Sequence, residues 1–65
     1  MQINFRVLSN AQANNAIVFF IETLNLSVNK ESVFDDSDLT GEVKAQVQRY
    51  QKEHELPSTF YMEVD

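Results

Sequence analysis

Ala16-Ile17-Val18-Phe19-Phe20-Ile21 is the most apolar stretch of the chain, and its secondary structure decides the fold. A continuous apolar run of this length is compatible with a helix or with a strand. As a helix it places Ala13, Ile17, Phe20, Ile21 and Leu24 on one stripe, with Val18 and Phe19 widening that stripe beyond what one sheet can cover. As a strand, its β-branched and aromatic residues suit a central position buried on both faces. The helix, over 11–24, is the preferred reading. Ser9 precedes Gln12 by the spacing of a capping box, so the helix can begin at Asn10, and Ala11, Ala13 and Ala16 are strong helix formers, although Asn14 and Asn15 weaken it. Under both readings apolar surface is left over, at Val18 and Phe19 in the helical case, which points to a homodimer or an obligate partner.

Working outward, Ile3, Phe5 and Val7 alternate with Gln2, Asn4 and Arg6, the period of a half-buried strand over 2–8. Downstream, Leu26 and Val28 are interleaved with polar residues, and Ser32-Val33-Phe34 precedes the acidic turn Asp35-Asp36-Ser37-Asp38, consistent with a short strand or an extended covering loop. Leu39, Val43, Val47, Tyr50 and His54 then recur at spacings of three and four, which predicts an amphipathic helix over 39–55. Asp38 or Thr40 can cap it, Pro57 forces its end, and Leu56 packs back. Thr59-Phe60-Tyr61-Met62-Glu63-Val64 reads as a closing strand with Phe60, Met62 and Val64 on one face, paired with residues 2–8. No internal repeat is evident. The expected architecture is a single small two-layer α+β domain over 1–65, with two or three antiparallel or mixed strands packed with two helices. The expected order is β-α-(β)-α-β, with β-β-α-β as the alternative.

Composition narrows the function classes. The chain has 65 residues, of which 43% are hydrophobic and 23% charged, with a net charge of -5, one Gly, one His and no Cys. Without Cys there are no disulfides, thiol nucleophiles or thiolate metal sites, and one Gly cannot build a phosphate-cradling loop. The start lacks the basic and apolar regions of a secretory leader and no apolar run is long enough to span a bilayer, so a cytoplasmic protein is expected. Excess negative charge argues against a surface that neutralises phosphates. Lys44, Arg49 and Lys52 form only a small basic patch, diluted by Glu42, Glu53 and Glu55.

Three groups of residues carry potential chemistry. Asp36-Ser37-Asp38-Leu39-Thr40-Gly41-Glu42-Val43 matches the opening of a calcium-binding EF-hand loop, but Val47 stands where the bidentate acid belongs and Lys44 where a water or an acid is wanted. The acids then serve to solvate a turn and cap a helix. His54 cannot form a metal cluster alone, and its expected role is helix capping or half-buried packing. Glu22 follows the apolar run, but a strand end or the polar side of a helix accounts for it. No catalytic residue, metal or cofactor is therefore expected.

The segment from Gly41-Glu42-Val43 through Tyr50-Gln51 to Leu56-Pro57 resembles the second half of small peptidoglycan-binding domains, with Tyr50-Gln51 and Leu56 in comparable places. It covers about a quarter of the chain. The family's glycines are missing, Gln46 occupies a small-residue position, and the strand-like ends differ from an all-helical module. The resemblance implies a ligand- or cell-wall-binding module as an alternative function. The favoured expectation is a small non-enzymatic interaction protein of regulatory, inhibitory or accessory type, binding itself or another protein. Its apolar patch would comprise Val18, Phe19 and Tyr50, beneath an acidic rim of Asp35, Asp36, Asp38 and Glu42. Nucleic-acid mimicry or association is the remaining alternative.

Overall fold

The computed structural model describes residues 2–62. It is a small α+β fold with a two-stranded antiparallel sheet and two helices, in the order β-α-β-α. Strand β1 (Gln2–Asn4) pairs with β2 (Val33–Asp35) in the register Gln2↔Asp35, Ile3↔Phe34 and Asn4↔Val33. Ile3 and Phe34 therefore share the face that meets the core, while Gln2, Val33 and Asp35 are exposed on the other. The strand expected over 2–8 stops after three residues. Asn4 accepts a hydrogen bond from the Arg6 backbone N–H through its side chain, at 2.9 Å, and starts a 3-10 turn at Phe5–Val7. A local side-chain acceptor offers the backbone an alternative to the ladder and here displaces it.

The ambiguous apolar run is helical. Helix α1 (Asn10–Glu22) opens with both halves of the Ser9/Gln12 capping box, Ser9 accepting from the Gln12 backbone and Gln12 from the Ser9 backbone. Its inward face is Ala13, Ala16 and Phe20, with Ile17 and Phe19 half-buried. The small alanines let the helix approach closely and bring Phe20 to the centre, which turns the helix away from the expected stripe. Ile21, expected inside, is 46% exposed, and Val18 is 53% exposed.

Helix α2 (Gly41–Glu53) is shorter than the expected 39–55. Thr40 is its cap, accepting from the Val43 N–H, and Leu39 lies buried ahead of it. At the other end His54 is the C-cap, Glu55 sits in the left-handed region at φ 54, and the Leu56 N–H donates to the Gln51 carbonyl at 3.0 Å. The Glu55 N–H donates to Lys52, completing a Schellman closure that buries Leu56. Gln51 ties down the next turn by donating its side-chain amide to the Pro57 carbonyl at 2.8 Å.

The closing strand expected over 59–64 is reduced to one bridge, Ile3↔Tyr61, and an Asn4 N–H donated to the Phe60 carbonyl. Phe60 and Tyr61 are both buried and Met62 is exposed, so the expected alternation of faces fails; Glu63 and Val64 lie outside the described residues. A single bridge fixes no pleat, and both rings turn inward. β1 thus has β2 on one edge and Tyr61 on the other.

A structural repeat, which the sequence reading did not find, organises these parts. Gln2–Asn4, Phe5–Val7 and Asn10–Glu22 recur as Val33–Asp35, a 3-10 turn at Asp36–Asp38, and Gly41–Glu53, every boundary 31 positions later. The corresponding caps match in chemistry: Asn4 with Asp35, and Ser9 with Thr40. Ile3 and Phe34 are equivalent positions and pair with each other, so the halves are related by a local twofold through that pair. Only Leu8/Leu39 and Glu22/Glu53 are identical between the aligned elements, which explains why the repeat is hidden.

Two stability outcomes follow from this packing. Phe20→Ala is expected to cost about 3–5 kcal/mol in denaturant unfolding, because Phe20 is fully buried among aromatic neighbours. Glu55→Gly is expected to stabilise the fold by about 1 kcal/mol by removing a side chain from a left-handed position. A neutral or lowered unfolding midpoint for Glu55→Gly would contradict the closure described for α2.

Candidate interaction surface

The residues singled out from sequence separate into packed and exposed groups. Phe19, half-buried on α1, stacks on Tyr50 of α2 with ring centroids 4.3 Å apart and planes at 19°. Tyr50 in turn stacks on His54 at 4.0 Å and 25°. These rings join the two helices at equivalent repeat positions, and burial raises the Tyr50 hydroxyl above its ordinary pKa. Phe19 and Tyr50, with Thr23, Gln46, Arg49 and Glu53, line an open groove of about 440 Å³. Its charged groups are one Arg and one Glu, a turn apart on α2.

Val18 stands on the side of α1 opposite the buried Ala13, Ala16 and Phe20. Ala11, Asn14, Asn15, Val18, Ile21 and Glu22 are all exposed there. From Asn10 through Ile21 the helix has no charged residue, although the whole chain has 15. The outward face of α1 thus combines two large exposed aliphatic side chains with a neutral helix. Ile21 is the contributor that sequence reading assigned to the core. The signal that could have placed it outside is the pair Ala13/Ala16, whose small side chains mark the line of closest approach.

The acids also divide. Asp35 caps the second 3-10 turn by accepting from the Ser37 N–H at 2.8 Å. Asp38 is exposed, and Glu42 is exposed in the first turn of α2, where the helix dipole favours a carboxylate. Asp36 is only 8% exposed and accepts a 2.9 Å hydrogen bond from the Tyr61 hydroxyl, 25 positions away. Because Tyr61 bridges one edge of β1 and Asp36 follows β2 on the other, this bond spans the sheet. Asp36 occupies the repeat position held by Phe5 in the first half. Asp36 is therefore not part of the expected solvated acidic rim; its partner is remote in the chain and no local spacing announces it.

The EF-hand-like stretch is divided between a 3-10 turn and the first turn of α2, with Asp36 committed to Tyr61 and Leu39 buried. Among the described residues no group of three or more His, Cys, Asp or Glu side chains is placed to hold a metal ion. Lys44, Arg49 and Lys52 are all on α2, but Tyr50 is already stacked and Tyr61 is buried. No described helix is long and apolar enough to cross a membrane. No family model, curated protein or solved structure matches the chain.

Burial pushes the Asp36 carboxyl up, but the Tyr61 hydrogen bond and nearby positive charge, including Lys44, more than offset this and hold it below its ordinary 3.8. A carboxyl with a lowered pKa in the fold contributes stability above its unfolded value, and that stability is lost as pH falls through the folded value. In acid unfolding monitored below pH 3.8, Tyr61→Phe should therefore lose less stability than wild type over the same interval. Identical acid limbs would show that the bond does not set the titration of Asp36.

Proposed function

We propose that the chain is a small non-enzymatic protein-interaction module whose contact face is the outward side of α1. The observation that carries this reading is the exposure of Val18 and Ile21, at 53% and 46%, on a helix whose inward face is already filled. An aliphatic pair on a neutral helix gains by desolvation and gives up no hydrated charge when covered. The exposed acids Asp35, Asp38 and Glu42 belong to the other half of the repeat, where they keep the chain soluble and bias encounters toward basic surfaces. Phe19 and Tyr50 support the face from behind by fixing α1 on α2.

Photo-crosslinking in the native host tests the reading. A photoreactive residue at Val18 should give discrete protein adducts, whereas one at exposed Glu31 should not. No adduct from position 18, or the same adducts from both positions, would remove the α1 face from consideration.

A further inference from the structure

We propose that the outer edge of β2 takes an extended peptide of a partner protein as an antiparallel third strand, basic at its N-terminal end and apolar where it crosses Phe34. This contact goes beyond the α1 face and uses a different part of the molecule. Its first support is the direction of the backbone groups. The Phe5 N–H donates to the Ser32 carbonyl across the sheet, whereas the Asn4 N–H donates outward to Phe60. Such positions alternate along an antiparallel ladder, so Asn4 and its partner Val33 form a pair without hydrogen bonds between them. The N–H and C=O of Val33 therefore point away from β1, and among the described residues nothing bonds them there. An unpaired strand edge is a template for an added strand.

The structural repeat supplies the kind of occupant. On the outer edge of β1 the fold places an extended segment of its own, with Phe60 accepting from Asn4 and Tyr61 bridging Ile3 in antiparallel register. The local twofold carries Ile3 onto Phe34 and Gln2 onto Val33, and so carries that segment onto the outer edge of β2. There the chain leaves a groove. Asn25, in the left-handed region at φ 58, leads the chain out of α1, and Leu26, Ser27 and Val28 flank β2 without pairing to it. The turn that follows closes on itself, the Asn29 N–H donating to Ser32 Oγ at 2.8 Å and the Glu31 N–H to Asn29 Oδ1 at 2.9 Å. The open groove of about 320 Å³ is lined by Leu26, Val28, Phe34 and Leu39, with Asp38 as its one charged side chain. Lys30 and Glu31 line a different surface, with Arg6 and Leu8.

Pairing fixes what the added strand meets. Its residue opposite Val33 exchanges N–H to C=O bonds with Val33 in both directions. The residue opposite Phe34 turns toward the same face as Phe34, where Leu26, Val28 and Leu39 receive an apolar side chain. The residue opposite Asp35 sits beside a carboxylate, which favours Lys or Arg, and Asp38 extends the negative charge past that end. From N- to C-terminus the partner strand thus reads basic, apolar, β-branched. A second copy is disfavoured at this edge, because it would bring two acidic segments together on chains of net charge -5.

Titration of the isotope-labelled full chain with the end-blocked pentapeptide Lys-Lys-Phe-Val-Thr, followed by the amide resonances, tests the proposal. The largest shifts should fall at Val33 and across Leu26, Ser27 and Val28, with none at Val18. Methylating the backbone nitrogen of the peptide's Val removes its bond to the Val33 carbonyl and should weaken binding by about tenfold or more. Methylating that of its Phe, which points to solvent, should be tolerated. Exchanging both Lys for Glu should weaken binding by about fivefold or more at low salt. Every arm uses the unaltered protein, so loss of folding cannot imitate a negative result. No shift at Val33 with millimolar peptide, equal binding after methylation at the peptide's Val, or equal binding of Glu-Glu-Phe-Val-Thr would each overturn the proposal. Shifts confined to α1 around Val18 would overturn it while leaving the α1 face standing as the contact surface.

Discussion

The fold depends on three phenylalanine rings that meet edge to face: Phe5 with Phe20 at 4.9 Å, Phe5 with Phe60 at 5.2 Å, and Phe20 with Phe60 at 6.1 Å. Edge-on contacts place the positive rim of one ring against the negative face of another, so they orient the groups as well as burying them. The rings come from the turn after β1, from α1 and from the segment after Pro57, and all three are fully buried. With no disulfide in a chain this short, this cluster holds together segments far apart in sequence. Phe34 extends it from β2, lying nearly parallel to Phe5 at 6.5 Å.

That constraint accounts for the irregularities around it. Phe5 reaches the centre through a 3-10 turn rather than by strand alternation, and Phe60 does so from a segment that shares one bridge with the sheet. Tyr61, next to Phe60, crosses to Asp36 and closes the side of the core that Phe60 leaves. The pairing of Tyr61 with Asp36 allows a carboxylate to occupy the place that Phe5 takes in the first half without leaving its charge unpartnered.

Both helices were legible in the sequence because their signals are local: the Ser9/Gln12 capping box and the Thr40 cap with Leu56-Pro57 beyond. The apolar segments at Ile3 and Val33-Phe34 were legible as candidate strands, but their pairing was not, since residues 2–8 were expected to pair with 59–64, and Gln2–Asn4 pairs instead with Val33–Asp35 and keeps one bridge to Tyr61. Strand lengths were also illegible, because Asn4 and Asp35 end both strands through side-chain acceptors, a competition that apolar alternation does not record. The orientation of α1 was half legible. Periodicity found an apolar helix, but Ile21 and Phe19 exchanged their expected surroundings once Ala16 and Tyr50 determined how the helix docks. The Asp36–Tyr61 bond was illegible, since nothing in the local pattern relates a turn acid to a ring 25 positions away.

The two halves of the repeat have divided their labour. Ser9 and Thr40 begin helices of equal length, but the first has Glu22 alone as a charged residue while the second has Glu42, Lys44, Arg49, Lys52 and Glu53. The second helix carries the hydrated charge, while the outer side of the first stays neutral and aliphatic. Substitutions at Val18 or Ile21 on α1 and changes of charge on α2 therefore act on separate surfaces of the molecule. A chain of this size has little room for separate functional and structural parts, and a doubled backbone with unequal side chains is one way to obtain them.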